Sequence, residues 1–141
     1  MKINVKLVSD NAKLPHYAHI GDAGADLFAS ESTILAANQV LAVPTGVAIE
    51  IPMGYVGLVH PRSGMSLKGI TVMNAPGTID YGYTGEVKAI LVNHTNEDYQ
   101  INQGDKIAQL VIQKVESAFF EPVDELSNSV RGSGGLGSTG Q

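Results

Sequence analysis

Apolar residues recur at every second position along much of this chain, and that rhythm suits strands rather than helices. Ile3, Val5 and Leu7 alternate with Lys2, Asn4 and Lys6, so the N-terminus reads as a strand with one buried face. Short runs rich in Val, Ile and Leu follow at residues 40–43, 46–51, 55–59, 70–73, 86–92 and 106–115. Turns containing Gly, Pro or Asn separate them, at the roughly 8–12-residue spacing of sandwiches and small barrels. Only residues 63–68 leave room for a helix, and for a short one. The pattern predicts an all-β sandwich or barrel.

The composition changes sharply after Leu126. Nine of the residues from 127 to 141 are Gly or Ser, and Arg131 is the one ionisable side chain among them. Such a stretch cannot build a core, so it is expected to be a mobile C-terminal arm beside a single domain, 1–126. A chain of 141 residues is long enough for one sizeable core. Nine Lys and Arg against 14 Asp and Glu give a net charge of −5, which argues against a nucleic-acid partner. A polyanionic ligand would need local cations, and Arg62, Lys68, Lys88 and Arg131 are available. Cysteine is absent, which suits a reducing compartment. The opening MKINVKLV is too charged for a signal peptide, and no apolar run reaches membrane-spanning length. The expectation is a soluble cytoplasmic protein with no membrane partner.

Residues 74–88, NAPGTIDYGYTGEVK, carry the densest chemical signal. They place Asp80 directly after Ile79 and before Tyr83, in a Gly-punctuated hairpin too apolar for a solvated loop. Such a turn holds a carboxylate at the lip of a pocket while a ring covers the wall. Upstream, PRSGMSLKG at 61–69 reads as a capped helical turn with Ser63 as the N-cap. Its Arg62 guanidinium, Ser63 hydroxyl and free N–H groups at Ser63–Gly64 suit phosphate oxygens. Asp26 in DAGADLFA reads either as a turn aspartate capping its own backbone or as a carboxylate facing a metal-bound water. His16 and His19 lack a third ligand nearby, so they do not form a metal site. The arm string GSGGLG matches GxGxxG, but no strand precedes it and no helix follows, which excludes a dinucleotide site. What remains is a row of unhindered N–H groups, two hydroxyls and a guanidinium, suited to wrapping a terminal phosphate.

In order along the chain, AGADL (23–27), PRSGMSLKG, NAPGTIDYGYTGEVK, GDKIAQLV (104–111) and RGSGGLGSTG (131–140) strongly resemble the motifs of the trimeric deoxyuridine triphosphatases, the dUTPase family. The resemblance implies a jelly-roll-like β-barrel and a homotrimer with active sites shared between subunits. It also implies Mg²⁺-dependent hydrolysis of dUTP to dUMP and pyrophosphate, which keeps uracil out of DNA and supplies dUMP for thymidylate synthesis. By the same resemblance Asp80 holds and deprotonates the water that attacks the α-phosphorus. Asn74 helps hold uracil, the backbone at Gly77, Thr78 and Ile79 lines the nucleoside site with Lys88, and Tyr83 packs against deoxyribose. Arg62, Ser63, Gly64 and Gln109 correspond to phosphate binders, and Asp26 to the acid that reaches Mg²⁺ through water. Arg131, Leu136, Gly137, Ser138 and Thr139 correspond to the arm that closes over the substrate.

One position departs from the family pattern. Leu136 stands where the arm usually carries an aromatic over the uracil; base–aromatic stacking contributes about 1–3 kcal/mol, and leucine supplies only apolar cover. Two other functions share parts of this signature. A dCTP deaminase has the same barrel but a different catalytic hairpin. A nucleotide-gated interaction module would use the ordered arm as a surface for a partner.

Overall fold

Ten strands and one helical turn make up the fold, in a computed structural model that describes every residue except Gly137, Thr139 and Gln141. In chain order these are β1 (Asn4–Leu7), β2 (Gly24–Phe28), β3 (Thr33–Leu35), β4 (Val40–Glu50), β5 (Tyr55–His60), α1 (Ser63–Ser66), β6 (Ile70–Val72), β7 (Gly77–Ile79), β8 (Glu86–Asn93), β9 (Tyr99–Ile101) and β10 (Lys106–Lys114). Two four-stranded antiparallel sheets, ordered β1-β4-β8-β6 and β2-β10-β5-β7, carry the core between them, and β3 pairs with β9 at one side. This is the expected jelly-roll-like all-β architecture.

Branched aliphatic side chains fill the space between the sheets. Leu27, Leu35, Ile49, Ile51, Ile70, Leu91, Ile101 and Ile107 are fully buried, each contributing about 1.5–3 kcal/mol relative to exposure. The polar group most deeply set among them is Asn93. Its amide donates to the carbonyls of Leu35 (3.1 Å) and Glu97 (2.8 Å), and its carbonyl accepts from the N–H and hydroxyl of Thr95. A buried amide is tolerated when all its groups are paired in this way.

Several local expectations change on contact with the fold. The runs at 40–43 and 46–51 belong to one strand, β4, because Pro44 sits in a bulge: Pro44 pairs with Lys88 but Ala48 with Glu86. A proline without an N–H is accommodated at such an irregularity. The helical turn ends at Ser66, and its N-cap is Arg62 with extended backbone (φ −102, ψ 132) rather than Ser63. The Arg62 carbonyl accepts from the N–H groups of Met65 and Ser66, so the Ser63 hydroxyl is not consumed in capping. Asp26 lies within β2, not in a turn; Ala25, Asp26 and Leu27 are all buried, so the strand has no alternation to betray it. Residues 74–88 do not form a paired hairpin, since β7 hydrogen-bonds to β5 in one sheet while β8 pairs with β4 and β6 in the other. They form a crossing between sheets.

After Lys114 the described residues carry no further strand, and Phe119, Phe120, Leu126 and Val130 stand almost wholly exposed. No helix among the described residues is long and apolar enough to cross a membrane.

Candidate active site

Where β7 leaves one sheet and β8 enters the other, the splayed strands leave a cleft of about 540 Å³. Asn74, Gly77, Thr78, Ile79, Tyr83 and Lys88, all expected around a nucleoside, line it together. Gly77 and Ile79 are buried in the β7 ladder, which fixes the backbone between them against β5. Asp80 follows at once, where the chain leaves the ladder, and its carbonyl accepts the Tyr83 N–H at 3.2 Å. Its carboxylate is exposed and makes no hydrogen bond or ion pair with the described residues. Tyr83 folds back on the turn: its hydroxyl donates to the Glu86 carbonyl at 3.0 Å. A Cβ at Gly85 would collide with that hydroxyl and with the ring behind it, so only glycine lets the ring lie there.

A second cleft, of about 370 Å³, gathers the phosphate-type residues. Asp26, Arg62, Ser63, Gly64 and Gln109 line it, as expected, and so does Lys106. Asp26 is only 7% exposed and is held by two cations: Arg62 Nε stands 3.1 Å from Oδ1 and Lys106 Nζ 2.7 Å from Oδ2. Arg62 Nη1 also donates to the Lys106 carbonyl at 3.2 Å, and Gln109 Nε2 to the Pro61 carbonyl at 2.9 Å. The helical turn is thereby tied to β10 from both sides. Arg62 and Lys106 keep 33% and 40% of their side chains accessible, so each retains donors to offer a ligand.

The donor set speaks to a metal as well. No group of three or more His, Cys, Asp or Glu that could cage an ion occurs among the described residues. Asp26 is a hard oxygen donor whose two oxygens are already engaged by cations. With a single carboxylate at hand, Mg²⁺ there would be held mainly by water and substrate phosphates, and Asp26 would reach it through water only as Arg62 or Lys106 shifted toward the phosphates.

Other expected residues stand apart. Arg131 bonds locally, its Nε donating to the Gly134 carbonyl at 2.9 Å. Leu136 is fully exposed, and neither it, Arg131 nor Ser138 lines either cleft. Gly137 and Thr139 lie outside the described residues. The two clefts share no lining residue. Lys106 and Glu86 escaped the reading of the sequence, although both sit inside segments singled out there, GDKIAQLV and TGEVK.

Comparison with known proteins places these clefts in context. Residues 10–140 match the family model for dUTPase. The deoxyuridine 5'-triphosphate nucleotidohydrolase of Thermobifida fusca is 50% identical, over 99% of this chain and 79% of its own length. That of Clostridium tetani is 47% identical, over 99% of this chain and 97% of its own. Among solved structures, the dUTPase of Staphylococcus bacteriophage 80alpha with dUpNHpp superposes with a TM-score of 0.93 at 33% identity, covering 99% of both chains. A mutant of the dUTPase from phage phi11 of S. aureus, described with a structural Mg(II) ion, superposes at 0.84 with 32% identity, covering 91% of this chain and 100% of that one.

Proposed function

The chain belongs to the dUTPase family, and from that premise we propose that it hydrolyses dUTP to dUMP and pyrophosphate, with Asp80 as the residue that activates water. One observation carries the assignment of roles: an uncommitted carboxylate stands directly beside a cleft lined by six residues expected to hold a nucleoside.

Triphosphate cleavage asks little covalent chemistry of a protein and much positioning and charge neutralisation. Asp80 accepts a hydrogen bond from a water and takes its proton as the oxygen attacks the α-phosphorus; the bond from that phosphorus to the α,β-bridging oxygen breaks, and pyrophosphate leaves. Backbone groups at Gly77–Ile79 and the Asn74 amide present fixed donors and acceptors to the base. A base with the wrong pattern leaves such groups unpaired, a penalty worth about 10⁴-fold in a site built for hydrogen bonding. The Tyr83 ring against the sugar leaves no room for a ribose 2′-hydroxyl. Arg62, Ser63, Gly64 and Gln109 bind phosphate oxygens, joined by Lys106. Asp26 would meet Mg²⁺ through a bound water, and the ion, when bound, neutralises charge on the phosphates.

The two clefts of one chain share no lining residue, and the described arm residues reach neither. Phe119, Phe120 and Leu126 expose apolar surface that a neighbour would cover. These facts support a homotrimer in which different subunits supply the cleft beside Asp80, the Arg62–Gln109 cleft, and the arm 127–141 that closes over the substrate. Work on a free nucleotide suits a cytoplasmic enzyme that keeps uracil out of DNA and supplies dUMP.

The test is pyrophosphate release from each deoxynucleoside triphosphate, with and without Mg²⁺. Rapid release from dUTP alone, strongly dependent on Mg²⁺, is the expected result. Ammonia from dCTP would instead make the chain a deaminase on the same barrel.

A further inference from the structure

We propose that Glu86 is a positioning residue for sugar selection: it anchors the far wall of the nucleoside cleft to the β4 bulge and so sets where the Tyr83 ring stands. The inference rests on the reading that Tyr83 faces the deoxyribose.

The bulge is a fixed point. Gly46 at its centre has φ +71, and a Cβ there would stand 2.7 Å from the Cβ of Ala12 and 3.0 Å from those of Ser9 and Ser30. Its carbonyl accepts the Val8 N–H at 2.8 Å, and its own N–H, thrown out of the ladder by the bulge, donates to Glu86 Oε1 at 2.8 Å. Next door the buried Thr45 hydroxyl donates to the Val87 carbonyl. Residues 86 and 87 are thus riveted to residues 45 and 46 by two side-chain bonds from opposite strands. The Glu86 carbonyl, on the riveted segment, is the acceptor for the Tyr83 hydroxyl at 3.0 Å. The second carboxylate oxygen lies 3.8 Å from Lys88 Nζ, with Lys88 half exposed, so it adds little. Glu86 lines the cleft beside Tyr83, yet its carboxylate is turned to Gly46 rather than left for a ligand. It acts through the ring.

A merely structural glutamate would, when removed, lower the usable fraction of enzyme without changing what the enzyme selects. A glutamate that sets the ring would change selection. The experiment measures kcat and KM for dUTP and UTP in trimers of Glu86→Ala, Glu86→Gln, Tyr83→Phe and the double variant Glu86→Ala/Tyr83→Phe. Temperatures stay well below each unfolding transition. In Glu86→Ala the ratio of kcat/KM for dUTP over UTP should fall by about tenfold, within the roughly 10²-fold that an ångström of misplacement can cost. The loss should sit mainly in KM for dUTP. Glu86→Gln keeps an acceptor for the Gly46 N–H and should recover most of the ratio. The double variant should lose little beyond the larger single effect, the mark of two residues acting as one unit. An unchanged ratio in Glu86→Ala, or losses that simply add, would overturn the proposal. Tyr83→Ala separates the two layers: if it leaves selection unmoved, the placement of Tyr83 on the sugar has failed. If it abolishes selection while Glu86→Ala does not alter it, Glu86 alone is dismissed.

Discussion

Two aspartates, one in each cleft region, show how surroundings set identical side chains apart. Asp26 is buried and clasped by Arg62 and Lys106, so its charge holds those cations in register. Asp80 is exposed, uncommitted and carried on a backbone pinned by the β7 ladder. A partner-free carboxylate on a pinned backbone is able to take a proton from water, the role proposed for Asp80. Replacing it by the isosteric amide keeps shape and removes basicity. Asp80→Asn is therefore expected to bind a non-hydrolysable dUTP analogue as the parent does while kcat falls at least about 10²-fold, the scale of a lost general base. Near-normal turnover would take Asp80 out of the mechanism. That Asp80 stands beside a cleft was legible in the sequence, because a lone acid in an apolar, glycine-marked segment is unusual. Lys106 and Glu86 were not, since what each does depends on Asp26 and Gly46, partners that only the pairing of strands brings within reach.

At the scale of elements, what the sequence disclosed depended on alternation. β5 and β8 have one face more buried than the other and could be read directly. β1 forms where alternation predicted it but buries no residue and leaves Leu7 exposed, while β2, buried through Ala25–Leu27, and the three-residue β3, β7 and β9 could not be read. The bulge of β4 was hidden too, because Pro44 and Gly46 read locally as a turn between two strands. Long-range pairing overrode that local preference. Gly46 is where this override is most exacting. Alanine there must adopt a positive φ, costing about 1–2 kcal/mol, and its methyl group must displace three neighbouring Cβ atoms, costing about 1–3 kcal/mol more. Gly46→Ala should thus lower unfolding stability by at least about 2 kcal/mol, read as a shifted urea midpoint at constant slope and constant protein concentration. A variant as stable as the parent would mean that the bulge yields easily, and with it the anchor assigned to Glu86.

For the whole molecule the proposal is that two clefts sharing no lining residue within one chain are completed by neighbouring copies. An assembly with threefold cyclic symmetry sets different faces of neighbouring copies against each other, which joins surfaces that the isolated fold keeps apart. A trimer sharing its sites can be tested by complementation. Asp80→Ala retains the arm but lacks the base; a chain truncated after Ser127 retains the base but lacks the arm. Either homotrimer should be nearly inactive. When the two are refolded together in equal amounts, about three-quarters of random trimers contain both chains, and a mixed trimer holds one site with an intact Asp80 and an intact arm from its neighbour. Recovery to about a quarter of parental activity is the expected outcome. If each arm instead closed over its own chain's cleft, no mixture could regain activity, because neither chain carries both parts. Mixed trimers verified by mass and still inactive would therefore exclude an arm donated between subunits, leaving each chain to complete its own site.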